Sequence, residues 1–338
     1  MRAPLALGLC GALSVAASAS PQVPRTEEEA EPIVASLTLF AGSASGLWQS
    51  GNWGGTWRKA IGSPSGDSIE EVGQVNAILT TTTNVYLAAE TGLYVSTDFG
   101  RTWEKKTDQA ALSVLVSRYP MADLTLFVGT RSGLLKSPDA GRTFGPTAVA
   151  GAVSRLEWPG PELFAVTDRG VAISRDGADS IAVRPAGLAP GPVRSLTLSS
   201  MWSLDPVAFV GVEGAGLYRT RDGGGSWELV AFEGGTVNDL FWFGPFLYAA
   251  AEHGFFLSQN AGESWEQWGQ GLEGVEPRRL LFPRYPESGS ELFLATSGGV
   301  YRSLDGGRRF RPSGLAEEDV SAVATFPPPD RTRDPRRR

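Results

Sequence analysis

The 338 residues carry 30 basic and 37 acidic side chains, a net charge of −7, with 42 glycines, 23 prolines, one cysteine and one histidine. A net-acidic chain lacks the basic surface that general nucleic-acid binding requires. A lone cysteine and a lone histidine argue against a transition-metal site and exclude a disulfide framework.

The N-terminus reads as a targeting segment. Arg2, an apolar run over residues 5–16 and the small-x-small triplet Ala17-Ser18-Ala19 are the parts of an export signal over residues 1–19. The run is shorter than the roughly 20 apolar residues of a membrane span, so no transmembrane anchor is expected. Leu9 ahead of Cys10 makes a poor lipoprotein site. Cleavage after Ala19 removes the only cysteine, and with it thiol chemistry, and leaves 29 basic against 37 acidic side chains, a net −8. The expectation is an exported protein, periplasmic or extracellular. Glu27, Glu28, Glu29 and Glu31 then form an acidic flexible linker over residues 20–32.

From residue 33 the chain repeats itself. The stretch Gly92-Leu93-Tyr94-Val95-Ser96-Thr97-Asp98-Phe99-Gly100-Arg101-Thr102-Trp103 contains a Ser-x-Asp-x-Gly-x-Thr-Trp core. Copies of that core begin at Ser50, Ser96, Ser137, Ser174, Thr220, Ser258 and Ser303, about 42 residues apart on average, in the range of one four-stranded propeller blade. Each position has a local task. The Asp carboxylate accepts backbone N–H groups and fixes a tight turn, and the Ser or Thr two residues earlier bonds the same turn. Gly permits a positive φ, and the final aromatic anchors the turn in a core. Asn52 and Asn260 keep the acceptor oxygen in the first and sixth copies. The fourth copy lacks both the aligned Gly and the aromatic and is expected to be the loosest turn. One carboxylate per copy is far short of the six to eight oxygens that calcium takes, so the repeat is structural.

Within the second repeat, residues 75–81, 85–89, 92–96 and 103–106 read as strands A to D of a blade. Innermost A strands fall near Val75, Leu112, Val153, Val193, Val237, Pro277 and Val320. The first repeat has no strand A before it, and the last strand A has no B, C or D after it. The simplest closure pairs that C-terminal strand with the N-terminal three, leaving no open sheet edge. The fold expected is all-β: a seven-bladed β-propeller over residues 33–327, followed by a Pro/Arg-rich tail over residues 328–338.

At the starts of the A strands stand Asn76-Ala77, Ser113-Val114, Ser154-Arg155, Arg194-Ser195, Asn238-Asp239, Arg278-Arg279 and Ser321-Ala322. Arg155, Arg194, Asp239, Arg278 and Arg279 are thereby expected to converge near the channel mouth. Arg131 and Arg169 join them from the B–C turns, with Glu90, Asp168, Glu213, Glu252 and His253 on the same rim. Guanidinium forks suit carboxylates or phosphates, so these seven residues are the candidate partner-binding set. A hydrolase would instead need two carboxyl groups at a defined separation, drawn from Glu90, Asp168, Glu213, Asp239 and Glu252. His253, in a B–C turn, reads as a loop histidine, and Gly223-Gly224-Gly225 lies inside a turn of the repeat rather than ahead of a helix.

The Ser-x-Asp-x-Gly-x-Thr-Trp cores resemble the Asp-box, or bacterial neuraminidase repeat (BNR), over nearly the whole mature chain. With seven blades, export and arginines at the strand-A starts, the chain is similar to the Asp-box propellers of the photosystem II stability/assembly factor family. The resemblance implies a monomeric, non-enzymatic binding scaffold without cofactor, presenting its arginine-bearing face to a protein partner with an acidic segment. The alternative it leaves open is a carbohydrate-binding propeller or a glycoside hydrolase of sialidase or xyloglucanase type. The Phe/Tyr-Arg-Ile-Pro signature of sialidases is absent, and the xyloglucanases use two such propellers where this chain has one.

Overall fold

The computed structural model describes residues 38–60, 72–117, 123–159, 162–183, 187–283 and 291–326. The expected export segment, acidic linker and Pro/Arg tail lie outside the described residues. The described residues form seven four-stranded antiparallel sheets. In blade 2, strands A to D are Val75–Thr80, Val85–Ala89, Gly92–Ser96 and Glu104–Thr107, close to the boundaries expected from the repeat. Innermost strands of successive blades touch in cyclic order, with Val320–Phe326 lying between Pro277–Leu281 and Val75–Thr80. No described helix is long and apolar enough to cross a membrane.

Closure follows the expected route. Val320–Phe326 pairs antiparallel with Thr38–Ser43, from Thr38 opposite Phe326 to Ser43 opposite Val320. Blade 1 is therefore built from both ends of the propeller: the C-terminal strand supplies A, and Thr38–Ser43, Gly46–Ser50 and Arg58–Lys59 supply B, C and D. Phe99 of blade 2 packs edge-on against Phe326, with ring centroids 4.8 Å apart.

The core lies between blades. Apolar side chains gather in seven clusters, one at each junction of neighbouring sheets. A phenylalanine near the start of strand B recurs as a plug: Phe40, Phe127, Phe164, Phe209 and Phe293 are all 0% exposed. Each such ring contributes about 1.5–3 kcal/mol of hydrophobic stabilisation. The box of the next blade closes over the plug. Gly100 sits at φ 84°, and a Cβ there would lie 2.7 Å from the Phe40 ring. Conformation and close approach both demand glycine.

The box is a closed hydrogen-bond circuit. In blade 2, Ser96 Oγ donates to Asp98 Oδ1 (2.8 Å) while accepting from Gly100 N (2.8 Å), and Thr102 N donates to Asp98 Oδ1 (2.8 Å). Trp103 is buried beneath, its Nε1 donating to Gly100 O (3.2 Å). Contrary to the expectation of a loose fourth box, the same circuit is intact there. Ser174 Oγ donates to Asp176 Oδ1 (2.8 Å), Ala178 N donates to Ser174 Oγ (2.8 Å) and Ser180 N to Asp176 Oδ1 (2.9 Å). The circuit needs only the Ser, the Asp and the returning backbone, all of which that copy keeps. The departure appears instead in Ala178, which takes the glycine's left-handed φ of 75°.

Candidate functional site: the channel mouth

Every strand A carries a bulge at its second residue. Pairing with strand B jumps from Val75 to Ala77, Ala111 to Ser113, Val153 to Arg155, Val193 to Ser195, Val237 to Asp239 and Pro277 to Arg279, and blade 1 skips Ser321. A bulge re-aims side chains at the end of a strand. Here it separates two rings. The bulged residues Asn76, Leu112, Ser154, Arg194, Asn238, Arg278 and Ser321 all line a cavity of about 700 Å³ at the end of the channel. The residues after the bulge form a second ring: Ala77, Ser113, Arg155, Ser195, Asp239, Arg279 and Ala322. In blade 3 the pair in register is Leu112-Ser113, one residue earlier than the sequence suggests, because strand A there starts at Ala111.

Several of these polar residues bind the ring together. Asn76 Nδ2 donates to Ala111 O (2.8 Å), Ser113 Oγ to Val153 O (3.0 Å), Ser195 Oγ to Val237 O (2.8 Å) and Asn238 Nδ2 to Pro277 O (3.0 Å). Each tie joins one blade to the first carbonyl of the next strand A. Such bonds satisfy backbone acceptors that the bulge would otherwise leave open.

The arginines fall into three settings. Arg155 and Arg279 turn onto Asp239, with N···O distances of 2.6 and 3.7 Å. Asp239 is 8% exposed and also accepts Leu280 N (2.8 Å), so one carboxylate of blade 6 joins blade 4 to the start of blade 7. At the mouth, Arg194 pairs with Glu213 (2.8 Å), and Arg278 meets Asp319 (2.9 Å) and Glu276 (3.9 Å). On the rim, Arg131 pairs with Glu90 (2.6 Å), while Arg169 is exposed and forms no ion pair among the described residues. Arg155, Asp239 and Arg279 are thus brought into one cluster, Arg194 and Arg278 line the mouth above it, and Arg131 and Arg169 stand apart. Arg278 Nε and Arg279 Nη1 are buried atoms without a hydrogen-bond acceptor among the described residues, Arg279 Nη1 being the atom that faces Asp239 at 3.7 Å.

The arginines' partners at the mouth were only partly visible in sequence. Glu276 and Asp319 were missed, although each stands immediately before a strand A, at Pro277 and Val320, and that position was readable. Among the described residues, no aromatic lines the mouth. A neighbouring groove of about 1000 Å³ shares Glu252 and Glu276 with it and contains Trp268, over whose ring Arg308 lies at 4.9 Å.

Comparison with known proteins places this geometry. The family model of the BNR/Asp-box repeat matches residues 94–105. Comparison with curated protein sequences finds no match. Among solved structures, YCF48 from Cyanidioschyzon merolae superposes with a TM-score of 0.57 at 15% identity, covering 72% of this chain and 86% of that one. A structure of YCF48 bound to D1 peptide gives 0.53 at 19% identity, over 70% and 81%. The GH74 enzyme of Niastella koreensis gives 0.62 at 14% identity, covering 82% of this chain and 52% of the enzyme, about half its length. At these identities the likeness is one of fold. With seven boxes, one per blade, and one of them matched by the repeat model, the chain is a seven-bladed β-propeller that carries the BNR/Asp-box repeat.

Proposed function

We propose that this propeller is an exported, non-enzymatic binding scaffold of assembly-factor type whose channel mouth receives an acidic segment of a protein partner. The observation that carries the reading is that Arg194, Arg278 and Arg279 line the mouth cavity, with Arg278 Nε buried and without a hydrogen-bond acceptor among the described residues. A buried donor left unsatisfied is costly, and a ligand carboxylate would relieve it. The pairs around it exchange cheaply. Arg194–Glu213 and Arg278–Asp319 are partly exposed, and such pairs are worth about 0–1 kcal/mol. Arg155 and Asp239 then serve as the support beneath, holding Arg279 in place. A peptide-bound YCF48 of the same fold agrees with this use of the scaffold. The lack of aromatic residues in the mouth disfavours a glycosidase cleft, where sugar rings are usually stacked. A carbohydrate reading draws support only from the adjacent groove with Trp268 and would be tested by glycan-array binding.

The test uses a glutamate-rich peptide and fluorescence anisotropy. Arg278→Ala is expected to weaken binding about tenfold while leaving the melting temperature unchanged, because its partners are exposed. Binding should also fall with added salt, since partly exposed charges are screened over about 8–10 Å. Equal affinity of the variant and the parent would overturn the reading.

A further inference from the structure

Three blades lean on the box of the blade that follows through a polar fourth residue of strand C. Gln49 of blade 1 donates to Gly100 O in the box of blade 2 (2.7 Å). Lys136 of blade 3 pairs with Asp179 in the box of blade 4 (3.3 Å), and Arg219 of blade 5 with Glu263 in the box of blade 6 (2.6 Å). Asp179 and Glu263 hold the same place, the sixth residue of their boxes. The junction of blade 7 with blade 1 breaks this pattern. Arg302 is the strand-C cation there, but the sixth residue of the first box is Gly55. Arg302 turns back instead to Glu291 of its own blade and packs between the rings of Trp53 and Phe293, 5.9 and 5.6 Å from their centroids.

Where the missing carboxylate would stand there is a pit of about 560 Å³, lined by both Arg302 and Gly55. Arg309 and Arg311 line it too. Both are exposed; Arg309 Nε donates to Gln270 Oε1 (3.2 Å), and Arg311 has no ion pair among the described residues. The one lining carboxylate, Asp305, already accepts Ser303 Oγ (2.8 Å) and Arg309 N (3.0 Å) within its own box. Trp53 and Leu304, the latter 63% exposed, give the pit an apolar side. The volume suits a small molecule. A planar guanidinium fork matches a carboxylate bidentately.

We propose that this pit binds an external carboxylate carried on an apolar body, replacing the box carboxylate that blades 4 and 6 supply internally. The cationic wall takes the head group, and Trp53 and Leu304 take the body. The site is separate from the channel mouth and stands whether or not the mouth binds an acidic partner.

The test titrates phenylacetate, phenylacetamide and phenyl phosphate into the full chain, read by saturation-transfer NMR. Phenylacetate is expected to bind with a Kd near about 1 mM and the neutral amide at least about tenfold more weakly. Gly55→Glu restores the internal carboxylate. Gly55 is not in the left-handed region; an added Cβ would meet Asn52 at 3.3 Å, so that side chain must give slightly, and Glu263 in the same place of the sixth box shows that the turn carries a glutamate. This variant should lose phenylacetate binding while melting no lower than the parent. Arg311→Gln should weaken binding at unchanged fold, and Arg278→Ala at the mouth should leave it intact. Absence of binding at about 10 mM phenylacetate, equal binding of the amide, preference for phenyl phosphate, or unaltered binding by both Gly55→Glu and Arg311→Gln would each overturn the proposal.

Discussion

The box rim and the channel mouth are built on opposite principles. At the rim, each turn closes on itself within eight residues, and seven copies differ little. At the mouth, the backbone repeats down to the bulge in every strand A, yet the side chains do not, and several of their partners come from other blades. Arg155 of blade 4 finds its acceptor on blade 6, and Arg278 finds one of its own in Asp319, just before the strand A of blade 1. Local circuits make the scaffold tolerant of substitution, whereas the buried Arg155–Asp239 pair beneath the mouth is costly to disturb and the partly exposed pairs above it are not.

The strongest way to break the comparison is to remove the one strand on which both regions depend. Truncation after Glu318 deletes Val320–Phe326, which supplies both the inner strand of blade 1 and a member of the mouth ring. It exposes an apolar edge and opens the junctions with blades 2 and 7. A loss of several kcal/mol, a large part of the roughly 5–15 kcal/mol of a domain, is expected. Truncation after Phe326 keeps every described strand and should melt with the parent. Calorimetry giving equal losses for the two would contradict closure by this strand.

That strand also shows what could be read from sequence and what could not. Strand A without B, C and D at one end, and the reverse at the other, made the closure legible before any coordinates. The repeat made the strands legible because each box residue acts on backbone a few positions away. Register places Asp239 at the mouth, but which arginines it holds lay beyond reach. Nothing local distinguishes it from Asn238, and its role depends on two arginines 84 positions before it and 40 after it, visible only once the ring is closed. The bulge matters equally. It sends Arg194 and Arg278 to the mouth and Arg155 a layer inward, with Arg279 reaching both the cavity and Asp239, a division that residues one apart in sequence do not announce.

A second, smaller effect sharpens the contrast. Asp239→Ala leaves Arg155 and Arg279 without their carboxylate in a largely buried site. Breaking such a pair from one side costs about 3–5 kcal/mol. The paired replacement Arg155→Met with Asp239→Leu removes the stranded charge and should recover much of that loss, which chemical denaturation of the three variants would measure. A double variant no more stable than Asp239→Ala would mean that the cost lies elsewhere, in the Leu280 N–H that Asp239 accepts.

The smallest effect belongs to the rim and is read with acid. Hydrogen bonds from the box hydroxyl and backbone hold the carboxyls of Asp139, Asp176 and Asp222 at about 2, below the ordinary 3.8, and those of Asp98 and Asp305 are lowered as well. A carboxyl depressed by folding contributes stability that is fully present above its unfolded value and is lost as pH falls through the folded one. The rim should therefore weaken between about pH 4 and pH 2. Boxes 1 and 6 are exempt. Asn52 Nδ2 donates to Thr56 Oγ1 (3.0 Å) and Asn260 Nδ2 to Ser264 Oγ (2.9 Å), so the circuit closes without a charge. Replacing Asp139, Asp176 and Asp222 together by Asn should leave the neutral-pH fold intact and flatten the loss of melting temperature across that window. Thermal melts at several acidic pH values decide it. An unchanged acid slope in the triple variant would place the acid-sensitive groups outside the boxes, and the ion pairs of the mouth would be the next to examine.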